Sequence, residues 1–285
     1  EMSILSVQSD WAEQNPNDWW TYVCEATKRI LNESKIEASK ITAVGISYQM
    51  HGLVVVDSDG EPLKNAIIWC DSRAVEIGNK AFQDLSPERC TKTLLNSPAN
   101  FTASKLKWVK DNEPELFAKI HKFMLPGDFI AFKLTDEIST TKNGLSEGIF
   151  WDYESDTIAD WLLDYFGFDS ELVPKLVENF SPQGYITNKA SLETGLPEGI
   201  PVTYRAGDQP NNALSLNVFN DGEVAATGGT SGVIYAVTNN KNSKEPSRIN
   251  HFAHVNYSID NQSIGKLLCI NGAGIMYRWL RNQSS

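Results

Sequence analysis

Residues Val202–Val233, VTYRAGDQPNNALSLNVFNDGEVAATGGTSGV, decide how the chain is read. The β-rich run Val202–Tyr204 empties into the turn Ala206-Gly207-Asp208-Gln209. A helix is expected from Pro210 through Ala213 and Leu216. A second small-residue turn follows, Gly228-Gly229-Thr230-Ser231-Gly232. An acid at the mouth of a strand, beside a glycine and ahead of a helix, suits a general base. A Gly/Thr/Ser turn offers backbone N–H groups and hydroxyls that suit a phosphate. Together they point to transfer of a phosphoryl group to a hydroxyl. Each half also has a plainer reading: Asp208 as the N-cap of the helix, and the glycine turn as a turn.

Outward from this segment, composition sets the bounds. The 285 residues suffice for two domains of ordinary size, and 41% hydrophobic residues let each bury a core. A formal charge of −11 argues against broad binding to nucleic acid or anionic lipid, which needs clustered Lys and Arg. It leaves room for a local basic pocket that takes a nucleotide. No run of ~18 apolar residues predicts a membrane-spanning helix. No basic start followed by an apolar core marks a signal peptide. Cys24, Cys70, Cys90 and Cys269 are scattered without a CxxC pair, and read as small buried residues of a reducing cytoplasm.

Pro16-Asn17-Asp18 signals a helix start, with Trp20, Val23, Thr27, Ile30 and Leu31 at helical spacing after it. Ile41–Ser47 reads as a buried strand. Leu53–Asp57 and Ala66–Cys70 read as the two strands of a hairpin that turns at Ser58-Asp59-Gly60. From Arg73 to His121 the pattern is helical, broken at Pro87, Pro98 and Pro114. Further helices are expected over Asp128–Leu134 and Asp156–Phe166, the second capped by Gly167. A loose stretch ends near Gly199, where the domain boundary is placed. Strands dominate after it: Val202–Tyr204, Glu223–Thr227, Val233–Thr238, Ile249–Val255 and Leu267–Ile270. A last helix is expected over Ala273–Leu280.

Three other groups carry possible chemistry. Ser47-Tyr48-Gln49-Met50-His51-Gly52 puts polar side chains and a glycine at a strand end, as small-molecule pockets do. Gln49 and His51 can bond a polyol and Met50 can pack on its carbon face; a structural histidine in a turn is the alternative. Asp71 and Arg73 are expected to form a bidentate pair that holds a cleft wall, with direct contact to substrate as the alternative. His251 and His254, on a strand, point to opposite faces and read as structural rather than as metal ligands.

Taken in order, these motifs resemble the FGGY carbohydrate kinases, and within them the xylulokinases. The resemblance rests on Trp11–Pro16 with Trp19-Trp20, on Gly45–Gly52, on Ala66–Arg73, on Phe101–Val109, on Ala206–Gln209 and on Gly229–Gly232. It implies an α/β, actin/hexokinase-like (ribonuclease H-like) two-domain kinase fold. Residues 1–199 would form the sugar-binding domain and 200–285 the start of the ATP-binding domain, the second domain being incomplete. It implies ATP, Mg²⁺ and a ketose, most readily D-xylulose. Met50, His51, Asp208 and Gln209 would bind the sugar, Asp208 would act as base, and Gly229, Thr230 and Ser231 would hold ATP phosphates; no residue is assigned to the metal. A homodimer is a possible assembly.

Two departures accompany the resemblance. Xylulokinases commonly carry Asn after the catalytic Asp, where this chain has Gln209, as do relatives that act on other polyols; a kinase for ribulose, gluconate, glycerol or another polyol is the runner-up. The family's opening hairpin, with its Asp-x-Gly-Thr turn, does not precede Glu1, and its adenosine-binding part is expected beyond Arg281. Residues 1–285 alone are therefore expected to have little or no kinase activity. A non-catalytic sugar-binding relative is the alternative from another class.

Overall fold

A computed structural model describes residues 2–229, 231–242, 245, 248–270 and 273–284. After the short strand β1 (Glu13–Gln14), helix α1 (Pro16–Ser34) begins where the sequence signals it. Asn15 caps it by accepting the Asn17 N–H, and Pro16 sits in the first turn, where no N–H is missed. Strands β2 (Val44–Tyr48), β3 (Val54–Val56) and β4 (Ala66–Ile67) follow. The chain does reverse at Ser58-Asp59-Gly60, with Gly60 at φ +79°, but the expected hairpin is a short one. Leu53 bridges Ile67, while β3 takes β5 (Lys122–Met124) and β4 takes β1 as its partner. An all-buried Val54-Val55-Val56 triplet can be covered from both sides, so a distant strand competes for it.

Proline sets the helical region. Between β4 and β5 lie α2 (Val75–Asp84), α3 (Pro87–Thr93), α4 (Thr102–Asn112) and α5 (Pro114–Phe117). Pro87 and Pro114 each open a helix rather than merely ending one. Then come α6 (Pro126–Thr135), β6 (Ser139–Thr141) and α7 (Lys142–Glu147). Strands β7 (Trp151–Asp152) and β8 (Thr157–Ile158) pair with each other, which moves the start of the next helix, α8 (Asp160–Phe166), four residues past the expected Asp156. Gly167 caps it at φ +66°. Strand β9 (Lys175–Val177) and helix α9 (Asn188–Thr194) lead to β10 (Val202–Gly207).

Helix α10 (Asp208–Ser215) starts two residues before the expected Pro210. Gly207 is its cap, so the N-cap reading of Asp208 does not hold: Asp208 is the first helical residue. Strands β11 (Val224–Gly228), β12 (Gly232–Thr238), β13 (Asn250–Ala253) and β14 (Ile264–Ile270) form an antiparallel sheet in the order β11-β12-β14-β13. Helix α11 (Ala273–Gln283) closes the described chain.

The pairing that positions the rest is β10 against β2, parallel, with Gly207 opposite Tyr48. It ties the residues after 199 to a strand before it. One apolar cluster lies under these two strands, with Trp20, Ile46, Leu125 and Val202 in it. A larger one runs from Leu94 and Leu106 through Phe150 to Tyr235 and Phe252 of the antiparallel sheet. The cysteines depart from expectation: Cys90 is buried and Cys24 half-buried, but Cys70 and Cys269 are exposed, the first on the turn after β4 and the second beside a cavity. Among the described residues no helix is long and apolar enough to cross a membrane.

Strand β10 is locked by a buried cation. The Arg205 side chain is fully buried, and its guanidinium donates to Asp128 (3.1 Å), to Ser139 O (3.0 Å) and Oγ (2.7 Å), and to Gln183 (3.0 Å). Burial raises the Asp128 pKa, and the Arg205 charge pulls it back. Replacing one partner of such a pair leaves the other charge buried and alone. We expect Arg205→Leu to lower stability by about 3–5 kcal/mol, read from denaturant midpoints; a loss within 1 kcal/mol would contradict the role given to this network.

Candidate active site

Because β2 and β10 run parallel and side by side, the segments leaving their C-terminal ends emerge together, where ligands of open α/β sheets bind. A cavity of about 330 Å³ lies there, lined by Gln49, Met50, His51, Trp69, Asp208, Gln209 and Ser231, with Val233, Asn250, Leu267 and Cys269 from the antiparallel sheet as its far wall. A second hollow of about 410 Å³ beside β2 offers no carboxylate or histidine.

Asp208 projects from the first residue of α10, near the positive end of the helix dipole. Its carboxyl is open to solvent in the cavity and accepts from Gln209 Nε2 at 3.3 Å. The surrounding protein raises its pKa above the ordinary aspartate value, against the pull of hydrogen bonds from Gln209. A more basic carboxylate is a better proton acceptor. Gly207 must be glycine for this turn to seat. A Cβ there would lie 2.5 Å from Met50 Cγ and 2.7 Å from Glu147 Oε1. Met50 is accordingly 5% exposed, wedged beneath the turn, and reaches the cavity only in part.

His51 has a left-handed backbone, φ +61°. Its ring stands edge-on to Phe101 at 4.7 Å and tilts against Phe252 at 5.3 Å. Burial, helped by the Lys105 charge, lowers its pKa to about 3, so the imidazole is neutral. Nδ1 lies 3.2 Å from Glu147 O, and a carbonyl can only accept. The ring proton is therefore on Nδ1, and Nε2 is left as an acceptor for a ligand hydroxyl.

The small-residue turn joins β11 to β12, with Gly228 opposite Gly232. Gly229 N–H donates to Ser231 O at 3.0 Å. Ser231 faces the cavity; Gly229 stands next to it without lining it, and Thr230 lies outside the described residues. Thus six of the residues singled out in the sequence meet in one place: Gln49, Met50, His51, Asp208, Gln209 and Ser231. The Asp71–Arg73 pair is structural. Arg73 donates to both Asp71 oxygens, forms an ion pair with Glu13 at 2.8 Å and sits 3.9 Å over the Trp11 ring. Asp71, fully buried, also takes the Ala12 N–H at 2.6 Å. The rings of His251 and His254 are buried in the interior. His254 meets Tyr235 Oη (3.2 Å) and Val218 O (3.0 Å), and no metal-binding cluster of three or more His, Cys, Asp or Glu occurs among the described residues.

Three contributors escape a sequence reading. Trp69 is 60% exposed and forms a cavity wall; an aromatic side chain on a strand-end turn was the available signal. Lys105, fully buried on α4, donates to His51 O and Ile68 O, both at 2.9 Å, and so joins the two loops that carry His51 and Trp69. A lysine in a helical pattern reads as solvated, so nothing local announces it. Glu147, 1% exposed at the end of α7, accepts the Gly207 N–H at 3.0 Å.

Residues 1–215 match the model of the FGGY family of carbohydrate kinases, N-terminal domain. The chain belongs to the FGGY family of carbohydrate kinases. It is 28% identical over 251 residues to a xylulose kinase of Bacillus subtilis (strain 168), covering 88% of this chain and 50% of that one. It is 34% identical over 232 residues to a glycerol kinase of Thermococcus gammatolerans, covering 80% and 46%. The structure superposes on a xyloylose kinase from Brucella ovis with a TM-score of 0.88 and 27% identity, covering 98% of this chain and 56% of that one. The chain thus spans about half the length of the curated relatives it matches. The fold is the mixed α/β, actin/hexokinase-like architecture of the FGGY sugar kinases.

Lys105 supplies a test of how the FGGY cavity is braced. Burial lowers its pKa from 10.5 to about 7, against the Asp71 charge. Between these values the unfolded chain binds more protons than the folded one, so this residue's contribution to stability rises with pH. We expect Lys105→Met to be destabilising, at about 1–3 kcal/mol for each carbonyl left unbonded. The gap to wild type should widen from pH 7 to about pH 9; a pH-independent gap in denaturant midpoints would contradict this.

Proposed function

We propose that the full-length protein transfers the γ-phosphoryl group of ATP to a hydroxyl of a small ketose, with D-xylulose, giving D-xylulose 5-phosphate, as the leading substrate. One observation carries the reading: Asp208 and a neutral His51 line one cavity, at the ends of two parallel strands, together with Ser231. In this reading His51 Nε2 accepts a sugar hydroxyl, Met50 and Trp69 pack on its carbon face, and Gln209 bonds a second hydroxyl. Asp208 takes the proton of the reacting hydroxyl as its oxygen forms the new P–O bond; the bond from phosphorus to the bridging oxygen breaks and ADP leaves.

The Gly229–Ser231 turn fits phosphate oxygens. Among the described residues, a Cβ built at Gly228 meets nothing within 4 Å, and one at Gly229 meets Ser231 O at 3.8 Å, which leaves space beside these two glycines. Thr230 would join it. The Mg²⁺ that accompanies ATP neutralises phosphate charge when bound, and no residue here is assigned to it. Residues 1–199 would supply the sugar side and 200–285 the beginning of the ATP side, in an enzyme of the cytoplasm. The glycerol kinase likeness supports a second reading within the class, a smaller polyol as acceptor, which Gln209 also suits.

The test is sugar-dependent ADP release by the full-length gene product over a panel of D-xylulose, ribulose, gluconate and glycerol, ranked by kcat/KM. We expect D-xylulose to lead, and Asp208→Asn to cut kcat by about 10²–10⁴ with little change in KM. Undiminished turnover in Asp208→Asn would remove the base assignment. Sugar binding without ADP release by the wild type would favour a non-catalytic sugar-binding protein.

A further inference from the structure

Beneath the Asp208 turn lies a carboxyl that the reaction above does not use. Glu147 ends α7 and is 1% exposed. Two of its groups reach the segments that carry His51 and Asp208. Its backbone carbonyl takes the His51 Nδ1–H at 3.2 Å, and its Oε1 takes the N–H of Gly207, the residue just before Asp208, at 3.0 Å. The first contact reaches the segment leaving β2, the second the end of β10. The helix that carries Glu147 is itself fastened to the antiparallel sheet. Asn143 Nδ2 donates to Ala253 O (3.1 Å) and His254 O (2.6 Å), and Ser146 Oγ accepts the Ala253 N–H (2.8 Å).

We propose that Glu147 is a positioning residue of the phosphoryl transfer, one that fixes the His51 tautomer with its carbonyl and the height of the Asp208 turn with its carboxyl. The inference rests on reading the cavity as a sugar-kinase site. It adds that the segments carrying His51 and Asp208 are held in register by one buried residue from a third element, the first through its backbone carbonyl and the second through its side chain.

The carboxyl acts as a neutral acid. Among the described residues no cation forms an ion pair with it. The Tyr48 hydroxyl lies against it, yet neither that hydroxyl nor Glu147 Oε2 forms a hydrogen bond of normal geometry. Burial raises the Glu147 pKa well above its ordinary 4.5, the Gly207 N–H opposes this, and the charges of Asp208 and Asp128 add to it. A neutral carboxyl keeps a carbonyl oxygen for the Gly207 N–H and puts no second negative charge under the base. Glutamine has the same shape and the same acceptor, so it is the conservative replacement; leucine has neither.

The experiment compares Glu147→Gln and Glu147→Leu with the wild-type full-length gene product. In the sugar-dependent assay we expect Glu147→Gln to stay within about threefold of wild-type kcat. Glu147→Leu should lose about 100-fold in kcat, with a native circular dichroism spectrum. Wild-type kcat in a folded Glu147→Leu would overturn the proposal, and so would an equal loss in both variants. Two readouts do not need activity. Gly207 amide exchange should be slow in wild type and Glu147→Gln and fast in Glu147→Leu; unchanged protection in the leucine variant overturns the contact. The folded protein keeps a proton on Glu147 that the unfolded chain sheds above pH 4.5, so wild type loses this stabilisation as pH rises. The Tm difference, Glu147→Gln minus wild type, should therefore grow from about pH 5 to about pH 8; a flat difference overturns the neutral carboxyl. A wild type without sugar-dependent ADP release would count against the proposed function, while these two readouts would still decide the geometry.

Discussion

The parallel pairing of β10 with β2 is the constraint on which the rest depends. Parallel strands bring two chain segments far apart in sequence to the same edge and point them the same way. Here that places the turn after Tyr48 beside the turn at Gly207, with the strand ends in direct register. Without the pairing, His51 and Asp208 would be two unrelated polar residues. With it they face one cavity. Arg205 makes the strand hard to displace, because its guanidinium satisfies acceptors from α6, β6 and the loop at Gln183 at once. A slip of one residue would turn this buried cation to the other face of the strand.

Around that pairing, buried charge is used to hold loops in place. Arg73 with Asp71 and Glu13 pins the turn after β4 to the segment before β1. Lys105 spans the His51 and Trp69 loops through two carbonyl oxygens. Each arrangement satisfies backbone groups that loops cannot pair among themselves, which is the usual cost of burying irregular backbone. The cavity's walls are thereby braced by groups that do not line it. His51 is an example: its strained φ, its tautomer and its neutral state all follow from neighbours, Lys105, Glu147 and Phe101 among them.

Much of the site was legible as residue types. An acid after a strand and glycine, a Met-His pair before a glycine, and a Gly/Thr/Ser turn each carry a local chemical meaning, and Asp208, Met50, His51 and Ser231 from these motifs do meet. Local reading was weaker at boundaries. Helix α10 includes Asp208 because Gly207, not Asp208, takes the extended cap conformation. The helix expected from Asp156 gives way to a strand, since Thr157–Ile158 finds Trp151–Asp152 as a partner. The hairpin at Gly60 is short because the buried valines of β3 are claimed by β5 from 66 or more residues away.

The sequence by itself determined the punctuation of the chain, the strand–turn–helix units and the chemistry each turn can offer. These depend on side-chain size, β-branching, glycine and proline, all of which act over a few residues. The tertiary structure alone decided which turns share a cavity and what supports them. The Glu147–Gly207 bond spans 60 positions and the Lys105 bonds span 54 and 37, and a buried Glu or Lys carries no local mark of its burial. Their roles exist only once the packed interior removes water, because only there does an unpaired carboxyl, amine or carbonyl cost enough to dictate where its partner must be.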